Sequence, residues 1–333
     1  MALYEFMPRR SNIKAWGPIL GALLIFPLFV GNEYILNTAV FAGIYIILAS
    51  SLNITNGYTG LFSFGHAAFY GIGAYTAAIL STHSGFPFML TLPLSGIIAA
   101  IFGAAIALPT LRLKGIFLAL VTIGFQQITY LVIMNWTGLT RGPMGIPGIP
   151  PVSIFGLELS TNRGYYYLIL VLDVIVLFLI SRIIDSRVGR TFVAIREDEL
   201  AAQSISVNTF RAKVLSFVIA TFFAGLAGAF YAHHARFVSA DSFRLEETFL
   251  ILTMLIVGGM GSFLGPVIGA GFLVILPEIF RFLAEYRGVV YGLIMIAAIL
   301  FRPEGIAGVP GIIPSRGIFS RPEKRASAEE PAT

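Results

Sequence analysis

Long apolar runs separated by short polar or charged segments dominate the chain. A helix that crosses a bilayer needs about 20 mostly apolar residues. The pattern therefore predicts an all-α, polytopic membrane protein. The predicted spans cover residues 16–31, 34–54, 62–82, 88–111, 115–135, 165–184, 212–234, 247–264, 266–283 and 287–301.

Glycine-rich stretches leave the number of spans between eight and ten. The runs at 62–82 and 247–283 contain many glycines, which is typical of broken or re-entrant helices. Such backbone is tolerated at membrane depth only where protein or a water-filled cavity covers it. We therefore predict about ten transmembrane helices, with eight as the alternative.

The positions of the basic residues predict the sidedness of the connections. Cytoplasmic connections of membrane proteins carry an excess of Lys and Arg. If the first run starts in the cytoplasm and the sides alternate, most of the 22 Lys and Arg residues fall on cytoplasmic segments. We therefore predict that both the N-terminus and the C-terminus are cytoplasmic.

This topology divides the chain into three parts. Residues 1–15 form a cytoplasmic N-terminal segment, residues 16–301 the transmembrane domain, and residues 302–333 a cytoplasmic tail. The tail is rich in Pro, Glu, Ala, Ser and Arg, a composition that predicts a largely disordered segment. Within the transmembrane domain, a Gly- and Pro-rich outer cap covers 136–164, and a polar cytoplasmic connection covers 185–211.

Composition excludes several classes of protein. Only 12% of the residues are charged and 57% are hydrophobic, whereas soluble domains carry about 25% charged residues. The net charge of +5 does not indicate nucleic-acid binding, because the basic residues lie between apolar runs. The absence of cysteine excludes disulfides, iron–sulfur clusters and thiolate metal sites.

The connection 185–211 favours a short amphipathic helix. Glu197, Asp198 and Glu199 are expected in its first turn, where the positive end of the helix dipole stabilises acidic side chains. Asn208 or Thr209 can cap the following span. Small and apolar side chains follow in a strip at Leu200, Ala201, Ser204 and Ile205. Such a helix either docks into a groove of a cytoplasmic partner or lies in an ordinary solvated loop.

Four motifs resemble those of a known family of membrane proteins. Gly189-Arg190, the stretch from Ala194 to Asp198 and Glu199-Leu200-Ala201-Ala202 resemble the coupling-loop signature of bacterial ABC-importer permeases. The closest match is the LivM-type permease subunit of branched-chain amino-acid importers. Three further stretches agree with this family, at 51–75, 112–125 and 257–266. The resemblance covers roughly residues 40–305.

The resemblance implies both a function and a set of partners. The chain would be a permease subunit of an ATP-driven importer that moves branched-chain amino acids across the bacterial inner membrane. A LivH-like permease, two cytoplasmic ATPase subunits and an extracytoplasmic solute-binding protein would complete the importer. From the predicted topology, we expect the outer cap and the loop at 236–247 to meet the binding protein. The ATPases would act on the residues of the coupling loop, namely Gly189, Arg190, Arg196, Glu197, Asp198, Glu199, Ala201 and Ala202.

No catalytic or cofactor site is expected in this chain itself. It contains no Gly-Lys dipeptide and hence no Walker A loop, so ATP is expected to be used by the partner subunits. The four histidines form no HExxH motif, so no metal site is expected. A membrane-embedded enzyme is disfavoured, because the sequence offers no paired carboxylates and no nucleophile with a base.

Polar residues and glycines within the spans are candidates for the transport pathway. They are Asn53, Ser63, His66, Asp173, Gly259 and Gly261. His66 and Asp173 have the alternative role of buried groups that hydrogen-bond across helices. Two other functions stay open at this point: a permease for urea, short amides or other amino acids, and an independent secondary transporter or channel.

Overall fold

The computed structural model of the chain is helical over most of the apolar runs that it describes, as predicted. It describes residues 21, 23–28, 31–111, 115–154, 157–159, 161–279, 287–302 and 304–307. The predicted N-terminal segment 1–15, half of the first predicted span and most of the tail 302–333 lie outside the described residues.

The main elements follow the predicted order. The helices are α1 (Glu33–Asn53), α2 (His66–Ser84), α3 (Phe88–Thr110), α4 (Ile116–Asn135), α5 (Asn162–Asp185), α6 (Arg187–Glu197), α7 (Glu199–Ser204), α8 (Thr209–Ala235), α9 (Leu245–Gly258), α10 (Gly265–Ile279) and α11 (Arg287–Phe301). Four short strands accompany them, β1 (Ile146–Pro147), β2 (Val152–Ile154), β3 (Leu157–Leu159) and β4 (Phe237–Val238). These strands are two or three residues long, so the architecture agrees with the predicted all-α class.

Five of these helices are long and apolar enough to cross a membrane. They are α1 with its π-helical continuation Ile54–Tyr58, α3, α4, α5 and α8. The apolar helices α10 and α11 are shorter. The chain is thus a multi-pass helical membrane protein. The total of about ten spans and the cytoplasmic position of the termini stay predictions.

Helix α8 lies at the centre of the bundle, where it packs against α1, α2 and α3. In lipid, helices associate through close approach of their backbones at small residues. The small residues that recur at every fourth position of α8 are all buried, namely Ala220, Ala224, Gly228 and Ala232. A methyl group added at Gly228 would overlap the carbonyl oxygen of Tyr70 in α2. The α2–α8 interface therefore depends on glycine at this position.

Gly228→Ala is expected to destabilise the protein by about 1–3 kcal/mol, because the added methyl group overpacks a backbone contact. Gly271 in α10 is the matched control, since a methyl group there meets nothing within 4 Å. Gly271→Ala is expected to be neutral or to stabilise by up to about 1 kcal/mol through helix propensity. Thermal unfolding of both variants in detergent measures the difference, and equal melting temperatures would contradict the packing account.

The predicted outer cap is partly ordered by short strands. β1 pairs with β4 in antiparallel register, with Ile146 opposite Val238, and β2 pairs with β3. The first pair joins the region 136–164 to the chain that leaves α8. His233, near the end of α8, contacts both the cap region and α3. Its Nδ1 lies 3.0 Å from the Pro150 carbonyl oxygen, and its Nε2 lies 3.0 Å from Thr91 Oγ1. We call this the cap end of the bundle, and the end that carries residues 185–211 the loop end.

Candidate functional site

The coupling segment (residues 185–211) folds into two short helices rather than one. Ser186 caps α6 by accepting hydrogen bonds from the backbone N–H groups of Val188 and Gly189. Asp198 caps α7 by accepting from the N–H groups of Leu200, at 2.8 Å, and Ala201, at 3.0 Å. The expectation that Glu197 lies in the first turn with Glu199 is wrong, because Glu197 ends α6. Asn208 caps α8, as predicted.

Arg196 anchors the coupling segment to the end of α1. Its Nη1 donates a hydrogen bond of 2.8 Å to the Gly57 carbonyl oxygen in the π-helical turn. Its Nη2 pairs with Glu197 Oε1, also at 2.8 Å. The Arg196 side chain is only 10% exposed, whereas that of Glu197 is 55% exposed. Arg196 is therefore an internal tie between α6 and the π-helix, and Glu197 orients it from the surface.

Glu199 anchors the segment a second time, to the start of α8. Its Oε1 lies 2.6 Å from Lys213 Nζ, and both side chains are largely buried, at 22% and 7% exposure. Gln203 Nε2 donates to Thr209 Oγ1 at 3.0 Å, which adds a second link between α7 and α8. A buried ion pair whose partner is removed leaves an unpaired charge. The position of α7 is therefore fixed relative to α8.

The strip on α7 faces outward, as expected for a docking surface. Leu200 is 68% exposed and Ile205 is 72% exposed. Ala201 and Ser204 are exposed between them, while Ala202 is buried against the protein. Leu200 on this six-residue helix and Ile205 directly after it are two large exposed apolar side chains, which suit insertion into an apolar groove of another protein.

The remaining residues of the predicted coupling loop have structural or exposed positions. Gly189 is buried where α6 crosses the last turn of α5, and a methyl group there would overlap the Ile184 carbonyl oxygen. Arg190 is exposed and donates a hydrogen bond of 3.3 Å to the Asp185 carbonyl oxygen. A cavity of about 130 Å³ lies beneath the segment. It is lined by Arg196, Glu199 and Lys213 together with residues 59–62 and the start of α4.

The predicted pathway residues Asn53, Gly259 and Gly261 meet at one break in the helices. Residues 259–264 connect α9 to α10, and Gly259 and Gly261 adopt φ angles of 119° and 75°, which favour glycine. Asn53 Oδ1 accepts a hydrogen bond from the Gly261 N–H, and its Nδ2 donates to the Ser262 carbonyl oxygen, both at 2.8 Å. The Asn53 amide is 2% exposed and holds this turn against α1.

Ser63 and His66 lie at a second break, where residues 59–65 lead from the π-helix to α2. The Asn56 side chain accepts from the Ser63 N–H and donates to the Ser63 carbonyl oxygen, both at 3.2 Å. His66 Nε2 lies 2.8 Å from Ser51 Oγ, so α2 begins beside the body of α1 rather than at its end. His66 is therefore buried and hydrogen-bonded, which was the alternative to a pathway role.

Asp173 lies apart from these breaks, midway along α5 and next to Gly43 of α1. Its Oδ1 is buried and has no hydrogen-bond partner among the described residues. The hydrogen bond across helices that we expected for Asp173 is therefore not formed by this oxygen within the described part of the chain. A pathway role for any of the six predicted residues stays a prediction.

Comparison with known proteins shows the family of the chain. The family described as branched-chain amino acid transport system / permease component matches residues 34–299. The chain belongs to this permease family. The match includes both helix breaks and the whole coupling segment. No solved structure matches the chain.

Curated relatives of the chain include permease proteins named LivM and LivH. The chain is 36% identical over 301 residues to the high-affinity branched-chain amino acid transport system permease protein LivM of Salmonella typhimurium, covering 84% of the chain and 71% of that protein. LivM of Escherichia coli gives the same values. The corresponding LivH protein of Escherichia coli is 24% identical over 312 residues, covering 84% of the chain and 96% of LivH. The resemblance to LivM-type permeases is thus confirmed.

Sequence reasoning missed the partners of the predicted residues. Lys213 pairs with Glu199, and the Gly57 carbonyl oxygen accepts from Arg196. Thr122 of α4 accepts from the Phe64 N–H at 3.0 Å. These partners are far apart in sequence, and no local spacing reveals them.

Asn53→Ala is expected to destabilise the protein by roughly 2 to 6 kcal/mol, because it leaves the Gly261 N–H and the Ser262 carbonyl oxygen buried and unpaired. Asn162→Ala is the matched control, since Asn162 is on the surface and makes one bond of 3.3 Å to the Glu33 carbonyl oxygen. Thermal unfolding in detergent should separate the two variants by many degrees. Similar melting temperatures would mean that Asn53 does not hold the turn.

Proposed function

We propose that this chain is a permease subunit of an ATP-driven ABC importer that moves branched-chain amino acids across a bacterial inner membrane. Membership of the permease family supports the transport role. The names of the LivM and LivH relatives support leucine, isoleucine and valine as substrates. The coupling segment supports the proposal that ATP drives the transport. It exposes an apolar strip on which ATPase subunits would dock, and it is anchored to the membrane helices at two points.

The proposed importer needs subunits that this chain does not supply. A LivH-like permease would form the other half of the membrane domain, and an extracytoplasmic binding protein would deliver the solute. Two cytoplasmic ATPase subunits would bind and hydrolyse ATP, so that this chain itself is not an enzyme and binds no cofactor. The exposed side chains of Leu200 and Ile205 would insert into these ATPases.

The two anchors explain how a movement of the ATPases would reach the membrane. Displacement of α7 pulls on α8 through the Glu199–Lys213 ion pair. Displacement of α6 pulls on the π-helical turn through the Arg196–Gly57 hydrogen bond. A π-helical turn is a local deformation of the helix that recurs at functional sites. The coupling segment would therefore act on the helix break at 59–65 and on the central helix together.

Uptake of radiolabelled leucine into proteoliposomes tests the proposed function. The co-purified complex is reconstituted with its binding protein, with and without ATP on the side of the ATPases. We expect leucine uptake that requires ATP and that excess urea does not reduce. Purification without any ATPase, together with uptake that follows an ion gradient, would identify a secondary transporter instead.

Glu199→Lys is expected to lower ATP-dependent uptake at least tenfold, which corresponds to about 1.4 kcal/mol. The reason is that two ammonium groups would then face each other where the ion pair now holds α7. The double variant Glu199→Lys with Lys213→Glu restores the pair in reverse and should recover most of the uptake. A double variant as inactive as the single one would mean that Glu199 acts through direct contact with a partner.

A further inference from the structure

The segment between α8 and α9 enters the bundle instead of staying at its cap end. The Phe243 carbonyl oxygen accepts a hydrogen bond of 2.6 Å from Gln126 Nε2. Gln126 is the eleventh of the 20 residues of α4, which places it about 14 Å below the cap end of that helix at 1.5 Å per residue. The Phe243 ring also packs on Tyr70 and Tyr75 of α2. The chain at 240–243 therefore reaches the middle of two helices.

The segment also brings charged side chains to the level of the middle of α4, and these side chains are exposed. Arg244 Nη2 pairs with Asp241 Oδ1, and the two side chains are 53% and 61% exposed. Tyr130 of α4 lies against the pair, with its hydroxyl donating to Asp241 Oδ1 at 3.3 Å and its ring 5.6 Å from the Arg244 guanidinium. Glu246, in the first turn of α9, is exposed as well.

Gln127 extends this surface along α4. It lies three residues before Tyr130, and residues three apart are neighbours on one face of a helix. Its side chain is exposed near the middle of an apolar helix and makes no hydrogen bond within the described part of the chain. We call the surface formed by Gln127, Tyr130, Asp241, Arg244 and Glu246 the polar face.

Hydrocarbon cannot cover the polar face without cost. Lipid chains offer no hydrogen bonds, and charged side chains within a membrane face a protein interior or water. The exposed face of α5 differs, because its exposed side chains near the middle of the helix are Val171, Val174, Ile175 and Phe178. The polar face therefore lies against water or protein, whereas the α5 face suits lipid.

We propose that the polar face is one wall of the aqueous translocation pathway and that it contacts the solute. Its charges are of both signs, so that a carboxylate would bind Arg244 beside its ion pair with Asp241, and an ammonium group would bind Glu246. A zwitterionic amino acid carries both groups and needs a partner for each. The choice of solute rests on the proposed function, while the exclusion of lipid from the face rests on its exposed charged side chains alone.

Cysteine labelling tests the proposal, because the chain contains no cysteine of its own. Single variants Gln127→Cys and Glu246→Cys are placed in the complete complex, with partner subunits that also lack cysteine, in proteoliposomes. Ile175→Cys is the matched control, since Ile175 is 49% exposed near the middle of α5. Each variant is treated with a charged, membrane-impermeant methanethiosulfonate and, separately, with the lipid-soluble N-ethylmaleimide.

We expect the charged reagent to label both pathway positions at least tenfold faster than Ile175→Cys, and we expect saturating leucine to slow this labelling. Rates equal to that of Ile175→Cys would mean that lipid covers the face. Protection from both reagents would mean that a partner subunit covers it. Either result overturns the proposal, and fast labelling that leucine does not slow overturns the solute contact. Labelling needs no ATP turnover, so its failure is distinguishable from a failure of ATP-dependent uptake.

Discussion

A bilayer interior supplies no hydrogen bonds, so the two described helix breaks at 59–65 and 259–264 depend on the protein to satisfy their backbone groups. The chain is irregular at 59–65 and at 259–264, and in both places side chains satisfy the backbone. Asn56 bonds both backbone groups of Ser63, and Asn53 bonds two backbone groups across the 259–264 turn. Because these amides are buried, each break keeps one backbone conformation. We call the two breaks joints, because each connects helices of the bundle.

The joint at 59–65 is connected directly to the coupling segment. Arg196 donates to the Gly57 carbonyl oxygen, and a methyl group at Gly60 would lie 2.8 Å from the Arg196 side chain. On its other side the joint contacts α4 through the Phe64–Thr122 hydrogen bond. Since α4 carries Gln127 of the polar face, a short chain of contacts links the surface offered to the ATPases with the proposed pathway.

The sequence was informative about elements and family and poor about the contacts between elements. The small residues of α8 and the cap at Asn208 were predictable, because each is a local pattern with one physical cause. The predicted position of Glu197 was wrong, because Asp198 caps α7 and Glu197 is thereby left at the end of α6. The position of residues 240–243 beside the middle of α4 was not predictable. Polar residues such as Asp241 and Arg244 are typical of an ordinary outer loop, and only the hydrogen bond between Gln126 and Phe243 shows that this segment enters the bundle.

The most direct test of this account is whether the coupling segment and the joint at 59–65 move as one body. Spin labels at Val188 and Phe62, both exposed, report the distance between α6 of the coupling segment and the joint by pulsed electron resonance in the complete importer. A second pair at Phe62 and Trp136 reports the distance from the joint to the cap end. The account predicts that, on adding ATP, the first distance stays constant while the second changes. A change in the first distance with the second unchanged would contradict it.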